Sequence, residues 1–302
     1  MRLGFWQGGA VMLALVGWAM LSAPVAASDR FVIFGDLQDV SPEGRARDSV
    51  LIDRINAIAP AFSVFIGDIK GGGAPCSDAL MAQMRGIFDR HEAPLVYTPG
   101  DNEWTDCWRT PAGGYAPNER KTAVVDLFTA PGSSIGQDSM PLIQQEGQRE
   151  NARWQWRDVV FATLHMTGSN NNFQQREDAI AEHQAREALN EVWLDQAFDA
   201  AAEAPALVLF FHGNPQWEAG WWNPTGFDRF RAQLSERAAT FESPILVAHG
   251  DTHTFRIDKP FRGAPRMTRV EVFGSPQRGA VIVDIDPESP EVFRFSPLLL
   301  DP

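Results

Sequence analysis

Five apolar runs in this chain stop in the same way, on a small residue or a histidine followed by groups that can bind a cation. The run at 30–34 ends in Gly35-Asp36, and that at 62–66 in Gly67-Asp68. The run at 94–97 leads to Gly100-Asp101-Asn102-Glu103, and that at 206–211 to His212-Gly213-Asn214. The run at 244–248 leads to His249-Gly250-Asp251-Thr252-His253. Short apolar runs without alternation are what strands covered on both faces require. Apolar residues at helical spacing lie between them, at 49–58 and 78–88. This alternation predicts βαβ units with parallel strands. Ligands in such folds gather beyond the C-terminal strand ends, so the five endings are expected to meet at one edge.

The rest of the pattern extends this reading. Helices are expected over 121–127, 176–202 and 227–241, and a hairpin or one long strand over 154–164. Apolar stretches at 268–273, 280–285 and 292–295, divided by Gly and Pro, suggest a second, more mixed sheet. No low-complexity segment or long linker interrupts the chain, which favours one domain over residues 28–302. With 39 acidic against 26 basic residues the formal charge is −13, which argues against long nucleic acid as a partner.

The N-terminus reads as an export signal. Arg2 supplies the positive charge, an apolar stretch covers 10–21, and Val25 and Ala27 are the small residues of a cleavage site. The apolar run is short for a bilayer, so no stable membrane span is expected after cleavage. Residues 1–27 are thus the expected signal peptide, and the product is periplasmic or secreted. The chain has only two cysteines, Cys76 and Cys107. In an oxidising compartment they read as a disulfide, two free buried thiols being the alternative. Because Cys76 follows Asp68 and Cys107 follows Asp101 closely, a bridge would tie two of the predicted ligand loops together.

Taken singly, each ending has a plain explanation: Gly-Asp is a common turn or cap, and a lone histidine is usually structural. Their conjunction carries the chemistry. Carboxylates and imidazoles together suit hard and borderline divalent cations. The order of these motifs resembles the calcineurin-like metallophosphoesterases over roughly residues 30–256, and the pair Trp193-Leu194 before the single-histidine strand adds to the likeness. The resemblance implies an α/β fold, a two-sheet β-sandwich flanked by helices in αββα layers. It also implies hydrolysis of a small phosphoester at a dinuclear centre with metal-bound hydroxide as the nucleophile.

Carried over residue by residue, Asp36, Asp68, His212 and His253 match the family's ligands. Gln38 stands where a histidine is usual, and Asp251 stands where the first histidine of the last motif is expected. The third motif has two registers. In one, Asp101 is the ligand and Asn102 takes the catalytic histidine's place; in the other, Asn102 is the ligand. The implied metal set is therefore Asp36, Gln38, Asp68, Asp101 or Asn102, His212, Asp251 and His253. This donor set is richer in oxygen than the family pattern, which biases two divalent ions, from among Mn²⁺, Mg²⁺, Zn²⁺ and Ca²⁺, towards Mn²⁺ and Mg²⁺. His165 or His249 could supply the missing proton donor.

Rival readings remain. The substitutions suit a catalytically degenerate binder of a ligand or metal. Gly132-Ser133-Ser134-Ile135-Gly136 fits a nucleophile-elbow pattern, but a helix end and a proline precede it instead of a strand. Trp104, Trp108, Trp217, Trp221 and Trp222 follow predicted ligands, and either wall a substrate pocket or pack in the core. Gly71-Gly72-Gly73 reads as a flexible loop, residues 168–172 as a polar turn either beside the site or, the preferred reading, solvated, and His91 and His183 as exposed. Export with cleavage after Ala27 predicts that the intact mass of the secreted protein corresponds to a chain starting at Ser28; retention of Met1 would overturn it.

Overall fold

A computed structural model describes residues 29–174, 176–217, 225–261 and 263–300, together with Met1. The signal peptide expected at 1–27 (Met1 apart), Trp221 and Trp222 lie outside the described residues.

The first half alternates as expected: β1 (Arg30–Phe34), α1 (Pro42–Ile58), β2 (Ser63–Phe65), α2 (Asp78–Phe88), β3 (Leu95–Tyr97) and α3 (Pro117–Phe128). Next come β4 (Ile143–Gln145), a hairpin of β5 (Gln148–Trp156) and β6 (Val159–Thr163), and the four-residue turn α4 (Gly168–Asn171). The long α5 (Glu177–Ala200), β7 (Leu207–Phe210), α6 (Asp228–Thr240) and β8 (Ile245–His249) follow. The chain continues through β9 (Arg256–Asp258), β10 (Met267–Glu271), β11 (Gly279–Ile285) and β12 (Phe293–Leu299).

The strands form two mixed sheets, five strands in the order β12-β11-β1-β2-β3 and seven in the order β4-β5-β6-β7-β8-β10-β9. Pairing is parallel from β1 to β3 and from β6 through β7 and β8 to β10. The tail is divided between the sheets rather than forming one of its own: β10 joins the second, while β11 and β12 extend the first antiparallel to β1.

Side-chain alternation builds four layers. Phe31 and Ile33 of β1 point between the sheets with Phe62, Val64, Phe161, Val208, Phe210 and Leu246. Val32 and Phe34 point the other way, onto Leu51, Met84 and Phe88 of α1 and α2 and Phe128 of α3. Leu207 and Leu209 pack outward on Trp193 and Leu194 of α5 and Phe230 of α6. Both faces of each central strand are therefore dry, which is why its sequence reads as an unbroken apolar run. The result is the αββα sandwich.

α1 begins before the expected residue 49. Ser41 caps it, its hydroxyl accepting from the Gly44 amide at 3.0 Å, and Pro42 opens the first turn. The apolar spacing fails there because the buried residues are charged: Arg45 pairs with Asp48 at 2.9 Å, and Asp48 with Arg278 at 2.7 Å. His91 and His183 are buried, not exposed. Nδ1 of each donates to a carbonyl, that of Ala93 or of Asn171, and His91 stacks on Phe34. Ser134 lies between α3 and β4, its hydroxyl accepting from the Met140 amide, with none of the strand-turn-helix context of a nucleophile elbow. No helix among the described residues is long and apolar enough to cross a membrane.

Cys76 and Cys107 form a disulfide with Cα atoms 5.7 Å apart. It links the segment after β2 to the turn after β3, the two that leave Asp68 and Asp101. Closing a loop of 31 residues stabilises by roughly 3–4 kcal/mol in the chain-entropy model. Cys76→Ser is expected to lower the melting temperature by roughly 10 °C; an unchanged value would show that the bridge constrains nothing.

Candidate metal centre

The parallel strands of both sheets deliver their C-terminal ends to one edge. Asp36 follows β1, Asp68 follows β2 and Asp101 follows β3; His212 follows β7, and Asp251 and His253 follow β8. Asp36, Asp68, Asp251 and His253 have φ of 54°, 64°, 79° and 59°, in the left-handed region. Such backbone costs about 1 kcal/mol or more per residue and clusters where function holds it in place. Gly67, at φ 92°, leaves no room for a Cβ between the Gly100 backbone and the His212 ring.

His212 lies at the centre and is buried. Its Nδ1 is 2.7 Å from the Ile66 carbonyl, which only accepts, so Nδ1 carries the proton. Nε2 is thereby aimed at Asp101 Oδ1 (3.2 Å), Asp68 Oδ1 (3.4 Å) and Asp251 Oδ1 (3.9 Å). Two compact donor groups share this histidine: Asp36, Asp68 and His212, and Asp101, His212 and Asp251.

The remaining residues read from the sequence surround this core. Gln38 Nε2 donates to Asp68 Oδ2 at 2.7 Å and lies 2.8 Å from His253 Nε2. His253 donates from Nδ1 to the Ser275 carbonyl (2.8 Å), which leaves Nε2 facing Gln38 and 3.6 Å from Asp36 Oδ1. In the third motif it is Asp101 whose carboxylate converges with His212 and Asp251. Asn102 gives its backbone amide to Asp68 Oδ1 (3.2 Å) and its side-chain nitrogen to Asp68 Oδ2.

Electrostatics mark the cluster as short of positive charge. Burial, reinforced by Asp251 and Asp101, raises the Asp36 carboxyl to about 7 despite His212. Burial and its acidic neighbours lift Asp68 well above the carboxylate range. Asp101 is also penalised by burial, but hydrogen bonds from His212 and Ser169 bring it below its usual value. Burial opposes charge on His212, yet Asp68, Asp101, Asp36 and Asp251 raise its pKa well above the ordinary range. Asp36 Oδ1 is buried without a hydrogen-bond partner. Clustered carboxylate oxygens, one of them unpartnered, and an imidazole lone-pair position aimed among them fit a divalent cation.

Four residues not assigned a role from the sequence belong here. Glu103 Oε1 accepts from the amides of Asp68 (3.1 Å) and Gly100 (2.7 Å) and from the Tyr97 hydroxyl (2.8 Å), clamping the ends of β2 and β3. Ser169 donates to Asp101 Oδ2 (2.7 Å) and is 2.9 Å from Asp106 Oδ1. Ser169 and Gly168 thus bring the turn at 168–172 beside the acids, the first of its two sequence readings rather than the preferred solvated one. Burial and Asp101 push Asp106 up to about 6. Lys70 is buried behind the acids, and burial lowers its pKa. The polar composition of 168–172 was the one available signal; nothing in the spacing pointed to Lys70 or Asp106.

Neither spare histidine joins the cluster. His165 Nδ1 is bonded to Glu150 at 2.6 Å beneath Trp104, and no hydrogen bond or ion pair among the described residues links it to these acids. His249 Nδ1 is 3.0 Å from the Gly250 carbonyl and its ring stacks on Phe211. Of the tryptophans, Trp104 is buried, Trp217 packs on Phe230 and Phe261, and Trp108 is 45% exposed.

No protein-family model matches the sequence, and no curated protein matches it. Solved structures do match. A dimetal phosphatase from Danio rerio has a TM-score of 0.57 at 10% identity, over 84% of this chain and 92% of that one. GAP50, the anchor in the inner membrane complex of Plasmodium, has 0.51 at 11% identity, over 90% and 89%. A purple acid phosphatase from yellow lupin (Lupinus luteus) seeds has 0.51 at 14% identity, over 90% of this chain but 54% of its own. The fold is that of the calcineurin-like metallophosphoesterases, as the motif order implied.

Burial, with Arg269 and Arg256 nearby, lowers the His249 pKa from 6.5 to about 3. Between these values the unfolded chain takes up a proton that the folded chain refuses, so stability falls as pH drops through this window. His249→Gln is expected to flatten that dependence in denaturant unfolding followed from pH 7 to pH 4. A slope as steep as the wild type would show that His249 is not held neutral.

Proposed function

We propose that this chain is a metal-dependent hydrolase of small phosphate esters, with two divalent cations held at the strand ends. The observation that carries the reading is the convergence of Asp36, Asp68, Asp101 and Asp251 on one buried imidazole whose Nδ1 is engaged by the Ile66 carbonyl. Asp101, His212 and Asp251 with one oxygen of Asp68 would hold one ion. Asp36, His253 and the other oxygen of Asp68 would hold the second, with Gln38 turning its amide oxygen inward. Bound there, the cations would polarise the phosphoryl group and assist attack by water. Oxygen donors predominate, which favours Mn²⁺ or Mg²⁺ over Zn²⁺.

The chain's own residues set the geometry. Ile66 fixes the tautomer of His212, and Ser169 holds Asp101. Glu103 fixes the backbone of Asp68, and Asn102 orients its carboxylate. The left-handed backbone at Asp36, Asp68 and Asp251 points these groups inward. The mature protein, residues 28–302, would work outside the cytoplasm, a reading supported by the disulfide and the N-terminal sequence.

A second reading is a binding module that keeps the fold without turnover. It is favoured by the amides of Gln38 and Asn102, both of which donate to Asp68 Oδ2 where the family pattern has histidines. Fold likeness does not choose between them, since one neighbour is described as a phosphatase and another as an anchor.

Elemental mass spectrometry after exposure to Mn²⁺, Mg²⁺, Zn²⁺ or Ca²⁺ is expected to find two ions per chain. Asp68→Ala is expected to lose at least one ion and to abolish hydrolysis of 4-nitrophenyl phosphate and its bis ester. Wild-type turnover by Asp68→Ala would end the hydrolase reading, and ion uptake without turnover in the wild type would favour the binding module.

A further inference from the structure

The candidate centre concentrates carboxylates, and a phosphate ester brings negative charge of its own. Its approach calls for a cation at the rim with donors to spare. Among the described residues, His212, His253, Lys70 and Arg109 are the basic groups beside the acids, and the two imidazoles belong to the candidate metal set. His212 is enclosed among the acids. Lys70 is buried and donates from Nζ to the Gly71 carbonyl at 3.2 Å. Arg109 differs from both. It is 43% exposed, and its Nη1 pairs with Asp106 Oδ2 at 2.6 Å. No further side-chain hydrogen bond to it occurs among the described residues.

Gly72 brings this guanidinium to the centre. A Cβ built on Gly72 would lie 2.8 Å from Asn102 Oδ1, 3.2 Å from Arg109 Nη1 and 3.3 Å from Asp106 Oδ2. Those three atoms crowd one face of the glycine, and Asn102 is bonded through its nitrogen to Asp68. Arg109 and Asn102 thus border the same face of Gly72, and Asn102 is bonded to the Asp68 carboxylate. The Asn102 amide nitrogen already donates to Asp68 and its oxygen, an acceptor, lies toward Gly72, so Arg109 is the better-placed donor to an anion. The turn carrying Arg109 is anchored by the neighbouring Cys107 disulfide and by its own backbone: the Arg109 amide donates to the Asp106 carbonyl and the Arg109 carbonyl accepts from Gly114, both at 3.1 Å.

We propose that Arg109, steered by Asp106 and admitted by the bare face of Gly72, binds the phosphoryl oxygens of the substrate. The proposal rests on the phosphoester reading above and adds the residue that recognises the anion. Asp106 holds one edge of the guanidinium, and the other edge presents the planar fork of donors that suits two oxygens of one phosphoryl group. The triple-glycine loop after Asp68 thereby acquires a function: a side chain at position 72 would meet the Asn102 amide oxygen and the Arg109 guanidinium.

The test uses the full mature chain loaded with Mn²⁺ and titrated calorimetrically with inorganic phosphate, with ion content measured on the same samples. Arg109→Ala is expected to weaken phosphate binding roughly 10- to 100-fold without changing ion content, as for loss of a charge-assisted contact. Arg109→Lys should recover part of the affinity. Asp106→Asn combined with Arg109→Ala should stay as weak as Arg109→Ala alone. Unchanged phosphate affinity in Arg109→Ala would overturn the proposal while leaving the metal reading intact. Recovery to the wild-type value in the double variant would also overturn it, by tracing the loss to the unmasked Asp106 charge. A wild-type chain that takes up no Mn²⁺ would defeat the phosphoester reading and this proposal together, and it would be recognised at the ion measurement.

Discussion

The His212 imidazole joins the two halves of this molecule. It leaves the seven-stranded sheet at the end of β7, donates to the Ile66 carbonyl beyond β2 of the five-stranded sheet, and presents its other nitrogen to carboxylates from both. A buried ring with both nitrogens engaged across a sheet interface fixes how the sheets sit at this edge. It also determines which acids can approach one another. Asp68 and Asp101 come from one sheet and Asp251 from the other, and the imidazole is close to all three. Buried like charges repel strongly at such distances, and the repulsion is met by the imidazole among them and by the raised affinity of Asp36 and Asp68 for protons.

Around this junction the support is layered. Glu103 accepts donors from the backbone on either side of the gap between β2 and β3, and the Tyr97 hydroxyl fixes Glu103 in turn. Farther out, Cys76–Cys107 joins the segments that leave those strands. The disulfide restrains what the hydrogen bonds orient. The dry core between the sheets, crowded with Phe31, Phe62, Trp154, Phe161 and Phe210, makes this edge rigid from below.

Much of this was legible because strand endings are local. Each run of apolar residues covered on both faces announces its own strand, and the residue that follows must lie at the edge. Asp36, Asp68, Asp101, His212, Asp251 and His253 were found on that ground and are brought to one place. Long-range pairing was not legible. Nothing in 280–285 tells that it will lie against β1 rather than β10, because both neighbours offer the same apolar surface. Polar burial was equally silent. Arg45 and Asp48 look like a solvated helix face until Arg278 arrives from the far end of the chain. His91 and His183 look exposed until a carbonyl is found to accept each ring proton. The two registers at Asp101 and Asn102 could be told apart only by which side chain reaches His212.

The turn beside Asp101 has a different kind of consequence. Ser169, Asn170, Asn171 and Asn172 have φ of 49°, 57°, 54° and 59°, four successive residues in a region that most side chains avoid. Asparagine tolerates it best among residues with a Cβ, and β-branched residues tolerate it worst. Arg186 then locks the turn by donating to both the backbone carbonyl and the side-chain oxygen of Asn171. The backbone therefore restricts what these four positions can carry, little beyond Asn, Asp, Ser and Gly being accommodated without strain. A short polar string of low apparent information is thus among the more restricted stretches of the chain.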